Sequence, residues 1–528
     1  MYLGKQNKVT LKGAAIIVMS SIVISRITGF IREMLVPNMI GVNEVGDAYT
    51  IAFKITGLMY DLLVGGAISS ALIPILSGYI VKDKEEEGWK AVSTFVNIVF
   101  LAMVIFCVLG MIFTPQIMPL VAVGFKTEYQ RRLAIRLTRI LFPSVCFLML
   151  AGFSNGILNS YNRFAVASYG PCIYNIGCAA SIYFLGKTKG GVSSIACGVT
   201  ISSFIYFLFQ ISAAQKNMKF YRPKIFLKHD GFRKLFKLAI PSMISSSIVQ
   251  INVLISSTFS SLFKAGSVTA FNMADRVWQM PYGIFAQGIA TAILPSLSAK
   301  LAVGKVDEFK KTWLKSLKMV LLLTIPSAVG FVMLRQDIIR SIFKFTNKFN
   351  DEFVVVSANV LMYFSIALIT QSLVLIITRA FYAYNDTKTP LYIGTSTIIL
   401  NLLLSFVFCK FTNLNVSGMA LAYSIASTVN AVVLFVVFNK RTGKLIDKDI
   451  LKFCQKVILG SIFMALALGI SKRFGNSTSM TKLWQVIDLV KQISIGVVVY
   501  FVSIWFMKVN EVQEIIDMVL RKLRLKRA

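Results

Sequence analysis

Charge, histidine and acidic residues are what this sequence has least of. Only 15% of its 528 residues are charged, His229 is its one histidine, and 23 acidic residues stand against 56 basic ones. So little charge, with 56% hydrophobic residues and a mean hydropathy of +0.71, excludes an ordinary soluble domain of this length. A single histidine leaves no His-rich metal site. No P-loop, Ser-His-Asp set or Rossmann fingerprint occurs, so an enzyme is not expected, and a transporter would draw on an ion gradient or the membrane potential. Seven cysteines, Cys107, Cys146, Cys172, Cys178, Cys197, Cys409 and Cys454, lie in or beside apolar segments without a Cys-x-x-Cys pair. They read as small apolar packing residues.

Long apolar runs are what the chain does have. Each is roughly twenty residues, enough for a helix to cross ~30 Å of hydrocarbon. Spans are expected near 12–36, 47–80, 91–113, 133–158, 165–186, 192–213, 234–262, 268–299, 313–334, 353–384, 390–410, 415–438, 453–472 and 486–507, about fourteen in all. Lys5, Lys8 and Lys12 precede an apolar stretch that runs past Arg26 without a small-residue cleavage site, so it reads as an uncleaved first helix.

A net charge of +33 would suggest nucleic acid in a soluble protein. Here the charges crowd into alternate loops: Lys82, Lys84 and Lys90; Lys216, Lys219, Arg222, Lys224 and Lys228; Lys440, Arg441, Lys444 and Lys448; and Arg521 to Arg527. The opposite loops hold fewer, the stretch 335–352 being the richest of them. Both termini are therefore expected in the cytoplasm, and nucleic acid is not expected as a partner. Segment 214–237 mixes Phe220, Ile225, Phe226, Phe232, Leu235 and Phe236 with basic residues, which suits an amphipathic link on an anionic inner leaflet.

An internal repeat divides the chain. Ala48 to Lys54 resembles Ala270 to Arg276 at an offset of 222, Ala71 to Ser77 resembles Ala292 to Ser298 at 221, and Tyr161-Asn162 matches Tyr384-Asn385 at 223. The offset covers six spans, an even number, so the halves should run in the same direction across the membrane. The expected organisation is an N-lobe over 1–222, a C-lobe over 223–443, and two further helices with a basic tail over 444–528.

Ionisable residues inside spans are costly unless they face water, a partner or a ligand. The first span carries Arg26, Arg32 and Glu33, the second Asp47, Lys54 and Asp61, the eighth Asp275 and Arg276. Arg26 and Arg32 diverge by roughly 120° on a regular helix, which a break at Gly29 would reduce. Lys54 and Arg276 occupy equivalent repeat positions. Together the four cations would line a cleft, with Glu33, Asp47 and Asp275 as orienting partners and a phosphate-bearing anion as the expected ligand. For Arg136, Arg139 and Arg379 an intramembrane ion pair or a snorkelling end residue is the expected role.

Four motifs carry a resemblance. Ser25-Arg26-x-x-Gly29-Phe30-x-Arg32-Glu33, Gly46-Asp47-Ala48-Tyr49-x-x-Ala52-Phe53-Lys54, Gly156-Ile157-Leu158-Asn159-x-x-Asn162-Arg163-Phe164 and Ala274-Asp275-Arg276-x-x-x-x-Pro281-x-Gly283 are similar to the MurJ (MviN) family of lipid II flippases. That resemblance implies an all-α integral membrane fold of the multidrug/oligosaccharidyl-lipid/polysaccharide (MOP) exporter superfamily: two six-helix lobes around a central cavity, plus two C-terminal helices lining a groove for a lipid tail. It places essential cavity arginines on Arg26, Arg32 and Arg276, an acidic partner on Glu33 and the second-span aspartate on Asp47. It further implies lipid II as substrate, contact with membrane lipids and with cell wall synthesis proteins, and a bacterial plasma membrane location. The chain departs from the pattern at Tyr60-Asp61, where relatives often have consecutive arginines, and at Gln279, where some have glutamate.

The implied activity is alternating-access export of lipid II. Three rivals stay open: an exporter of another polyprenyl-linked saccharide, a drug or cation antiporter of the same superfamily, and a membrane scaffold. A coupling cation (Na+ or H+) is an open question too, with Asp386 as its candidate ligand.

Overall fold

Apolar sequence in hydrocarbon must satisfy its backbone internally, and every regular element described here is accordingly a helix. The computed structural model describes residues 11–60, 68–346, 348–443, 448–473, 481–509 and 511–513. Lys5, Lys8, Asp61, Lys444 and the basic tail from Arg521 lie outside them. The chain divides into two compact units, Met1–Thr269 and Ala270–Ala528.

The first unit comprises α1 (Leu11–Met39), α2 (Glu44–Tyr60), α3 (Ile73–Val81), α4 (Glu85–Val121), α5 (Glu128–Ser160), α6 (Phe164–Ala180), α7 (Gly191–Ala214) and α8 (Asp230–Ser260). Helix α9 (Ser267–Pro281) begins at its boundary. The second unit continues with α10 (Gln287–Ala302), α11 (Val306–Phe343), α12 (Asp351–Ala383), α13 (Lys388–Phe411), α14 (Ser417–Thr442), α15 (Lys448–Arg473) and α16 (Lys482–Phe506). Short π-helical turns at Ile68–Leu72, Ser181–Leu185 and Tyr282–Ala286 adjoin α3, α6 and α9.

Among the described residues every expected span falls on helix, with 61–67 of the second span outside them. Among the described residues ten stretches are long and apolar enough to cross a membrane by length and composition: those of α4, α5, α7, α9 with α10, and α11 to α16. Their apolar residues face outward in quantity. On α4 alone Leu101, Ile105, Phe106, Leu109, Ile112 and Phe113 are exposed, a surface that lipid covers at no cost and water does not. The chain is a multi-pass membrane protein.

The repeat recurs in the backbone. Left-handed residues at or beside the connections between equivalent helices fall at matching positions: Asp83 (φ 55°) and Gly304 (φ 73°), Asn162 and Asn385 (both φ 58°), Gly191 (φ 53°) and Asn415 (φ 51°). Helix caps match too. Thr127 accepts from the Gln130 N–H at the start of α5, and Asn350 from the Phe353 N–H at the start of α12, each at 3.2 Å.

Lipid supplies no hydrophobic drive between helices, so close approach of small residues does much of the packing. A side chain on Gly198 of α7 would come within 2.5 Å of Ser181 Oγ, and one on Gly177 of α6 within 2.7 Å of Ser202 Oγ. In the second unit, α15 and α16 pack on each other and on α11. The buried Tyr500 hydroxyl donates to the Leu322 carbonyl at 2.6 Å, and Lys472 pairs with Asp337 at 2.5 Å.

One local expectation meets a different backbone. Helix α1 runs through Gly29 unbroken, because the missing side chain serves close packing: a Cβ there would lie 3.3 Å from Asn175 Nδ2. The expected amphipathic link, segment 214–237, runs from the end of α7 into α8. Between Met218 and His229 it is an irregular strap laid along α4, because polar side chains of α4 satisfy its backbone. Asn97 donates to the carbonyls of Arg222 and Lys224 (both 3.2 Å), while Ser93 and Thr94 accept from the Arg222 and Phe226 N–H groups at 3.2 and 3.0 Å. Arg222 pairs with Glu86 and His229 with Glu87. Phe220, Ile225 and Leu227 stay exposed.

Candidate functional site

The first unit gathers several of the charges marked in the sequence around α1. Arg32 Nη2 reaches Glu33 Oε1 at 2.7 Å, and both side chains are only 12% exposed. Arg32 Nη1 donates to Asn175 Oδ1 of α6 at 3.2 Å, and the guanidinium lies 5.0 Å from the ring centroid of Phe53 on α2. Asn175 in turn donates to the Ser25 carbonyl at 3.2 Å. Three helices therefore fix one guanidinium by an ion pair, an amide and a ring face. Arg26, two turns earlier on α1, is exposed.

Lys54 on α2 donates to Ser257 Oγ of α8 at 2.6 Å. Asp47, 2% exposed, accepts from the backbone N–H of Gly266 (2.7 Å) and from both the N–H and the hydroxyl of Thr269 (2.8 Å each). Three donors around one buried carboxylate keep it hydrogen-bonded without a cation. Its geometry is that of an anchor for the turn ahead of α9.

In the second unit, Asp275 accepts from Trp278 Nε1 at 3.0 Å and from Gln279 Nε2 at 2.8 Å. Gln279, the departure from the family pattern, is thus a neutral donor that satisfies Asp275. Trp278 sits within an aromatic group with Phe364 (5.7 Å between centroids), Tyr282 (5.5 Å) and Tyr423 (6.1 Å). Arg276, half-buried, extends from the same turn of α9. Sequence reasoning did not find Asn175, Ser257, Phe53 or Trp278, since neutral side chains in an apolar helix carry no charge signal.

Other ionisable residues have local roles. Arg139 is exposed and its Nε donates to the Met111 carbonyl at 2.9 Å, and Arg379 lies over the Tyr382 ring at 6.0 Å. Asp386 caps α13, accepting from the Thr389 N–H at 3.0 Å and the Thr389 hydroxyl at 2.8 Å, and it pairs with Arg441 at 2.6 Å. The Thr389 N–H, with the hydroxyl and Arg441, holds this carboxyl below its ordinary value. Among the described residues no group of three or more His, Cys, Asp or Glu could hold a metal ion.

Comparison with known proteins places this geometry in context. A family model described as lipid II flippase MurJ matches residues 36–493. A probable lipid II flippase MurJ of Buchnera aphidicola subsp. Schizaphis graminum is 29% identical over 92% of this chain and 95% of its own length. The lipid II flippase MurJ of Burkholderia cenocepacia is 27% identical over 79% and 82%. Among solved structures, a lipid II flippase MurJ in an inward closed conformation matches with TM-score 0.77 and 27% identity, covering 92% of this chain and 98% of that one. An inward-facing MATE family transporter of the MOP superfamily matches with TM-score 0.68 at 15% identity over 81% and 98%, a likeness of fold alone.

Proposed function

The chain belongs to the lipid II flippase MurJ family, and on that premise we propose that it carries lipid II from the inner to the outer leaflet of the plasma membrane by alternating access. The observation that carries this reading is Arg32: a largely buried guanidinium on the first helix, held by Glu33, Asn175 and Phe53, a group suited to a phosphate-bearing anion. Arg26, Lys54 and Arg276 supply the remaining positive charge for the pyrophosphate. Glu33 and Asp275 orient, and Asp47 acts through the fold by anchoring its turn. No covalent chemistry is required, and the protein works as a transporter rather than an enzyme.

The headgroup enters on the cytoplasmic side, where both termini lie, while the polyprenyl tail stays in lipid along the exposed apolar faces of α15 and α16. Moving roughly two negative charges outward down an inside-negative potential of ~100 mV releases about 2.3 kcal/mol per charge. The six-helix lobes (1–222 and 223–443) change their access, and the C-terminal pair (444–528) serves the tail. In cells the protein hands its lipid to cell wall synthesis proteins.

Purified protein in liposomes with labelled lipid II tests this. Headgroup exposure on the far leaflet is expected for the native chain and is expected to fall about tenfold or more in Arg32→Ala, the loss of one charge-assisted contact. Equal exposure in both would overturn the assignment.

A further inference from the structure

The loop between α11 and α12, the basic exception to the charge bias, closes over a cavity of about 350 Å3. Arg340 and Lys344 from the end of α11, Asp351 from the start of α12 and Lys482 from the start of α16 line it. Arg340 and Lys344 share one carboxylate: Nη2 of Arg340 meets Asp351 Oδ1 at 2.7 Å, and Nζ of Lys344 meets Oδ2 at 2.5 Å. Among the described residues Lys482 forms no ion pair with that carboxylate or another. Its ammonium donates to the Arg340 carbonyl at 2.5 Å and lies 4.4 Å from the Phe345 ring centroid. Nε of Arg340 is shut from solvent without a hydrogen bond among the described residues.

Three cations against one carboxylate leave two positive charges in excess. The first turns of α12 and α16 add the positive ends of two helices, against the negative end of α11, whose Arg340 carbonyl Lys482 already takes up. Such a cavity calls for an anion. The surroundings select its source, because Leu483, Trp484 and Phe345 beside it are exposed, as residues at the headgroup level of a bilayer are. We propose that Arg340, Lys344 and Lys482 form a binding site for the phosphate of an anionic membrane lipid, on the face where α11 ends and α16 begins. With both termini in the cytoplasm, that face is the outer one, and the site is separate from the charges proposed to carry the transported headgroup.

Native mass spectrometry of the full chain released from detergent, with phosphatidylglycerol, phosphatidylcholine or inorganic phosphate added, tests the site. The native chain is expected to retain phosphatidylglycerol over phosphatidylcholine. Lys482→Gln should weaken that retention roughly fivefold, and the triple change R340Q/K344Q/K482Q well over tenfold. Asp351→Asn removes the competing carboxylate and should strengthen retention, a direction that misfolding does not mimic. The proposal falls if Lys482→Gln retains the lipid as the native chain does, if the two lipids are held alike, or if inorganic phosphate saturates the site and phosphatidylglycerol does not displace it, which would assign a soluble anion. Liposome flipping by Lys482→Gln near the native level would keep this outcome distinct from that of the transport assay.

Discussion

Asp47 holds Thr269 twice, through its backbone N–H and its hydroxyl, each at 2.8 Å. The two residues lie 222 positions apart, the offset of the internal repeat. A third donor, the Gly266 N–H, completes a buried cluster in which one carboxylate satisfies two backbone groups. Asp47→Ala would orphan both, at about 1–3 kcal/mol each. A clear drop in the melting temperature of the detergent-solubilised protein is expected, with a smaller one for Thr269→Val. An unchanged melting curve for Asp47→Ala would show that the carboxylate is no anchor.

Asn175 orients Arg32 without offering charge of its own. Asn175→Ala removes one neutral hydrogen bond to the guanidinium, worth about 0.5–1.5 kcal/mol, so flipping should fall about two- to tenfold while the melting temperature changes little. Removing Arg32 itself should cost more. If Asn175→Ala transports like the native chain, Glu33 and Phe53 suffice to hold the arginine.

Acid should reach the α13 cap only after ordinary surface carboxyls have begun to protonate. The Asp386 carboxyl titrates below its unfolded value because the Thr389 N–H, its hydroxyl and Arg441 favour the charged form. A depressed folded value means that the stabilisation is fully present above the unfolded value, about 4, and is lost as pH falls through the lower folded one. Asp386→Asn should therefore show a shallower loss of thermal stability on acidification below about pH 4 than the native chain. Parallel curves would remove Asp386 from the account.

The contact of α6 with α7 leaves no room for a side chain. Gly198→Val would push against Ser181 Oγ and Leu185, which lie 2.5 and 2.7 Å from the new Cβ. A cost of about 1–3 kcal/mol is expected, read as a lower melting temperature. Gly394, with nothing within 4 Å, should accept alanine with little change.

The amino-acid sequence by itself determined the membrane as solvent, the position of each helical stretch and the repeat, because hydrocarbon imposes a length and a polarity that twenty residues report locally. It also marked the costly charges: Arg32, Lys54, Asp47 and Asp275 stand out in apolar helices whatever they touch. What only the tertiary structure decided is their partners. Asn175 lies 143 residues from Arg32, Ser257 lies 203 from Lys54 and Gly266 lies 219 from Asp47, and no local pattern encodes such pairings. The same distance in sequence hid the partners of the strap 218–229: composition makes this link amphipathic, and polar side chains of α4 satisfy its backbone. It hid the meeting of Arg340, Lys344 and Lys482 as well, because a charge in a loop is legible while the cavity it faces exists only once helices far apart in sequence have packed.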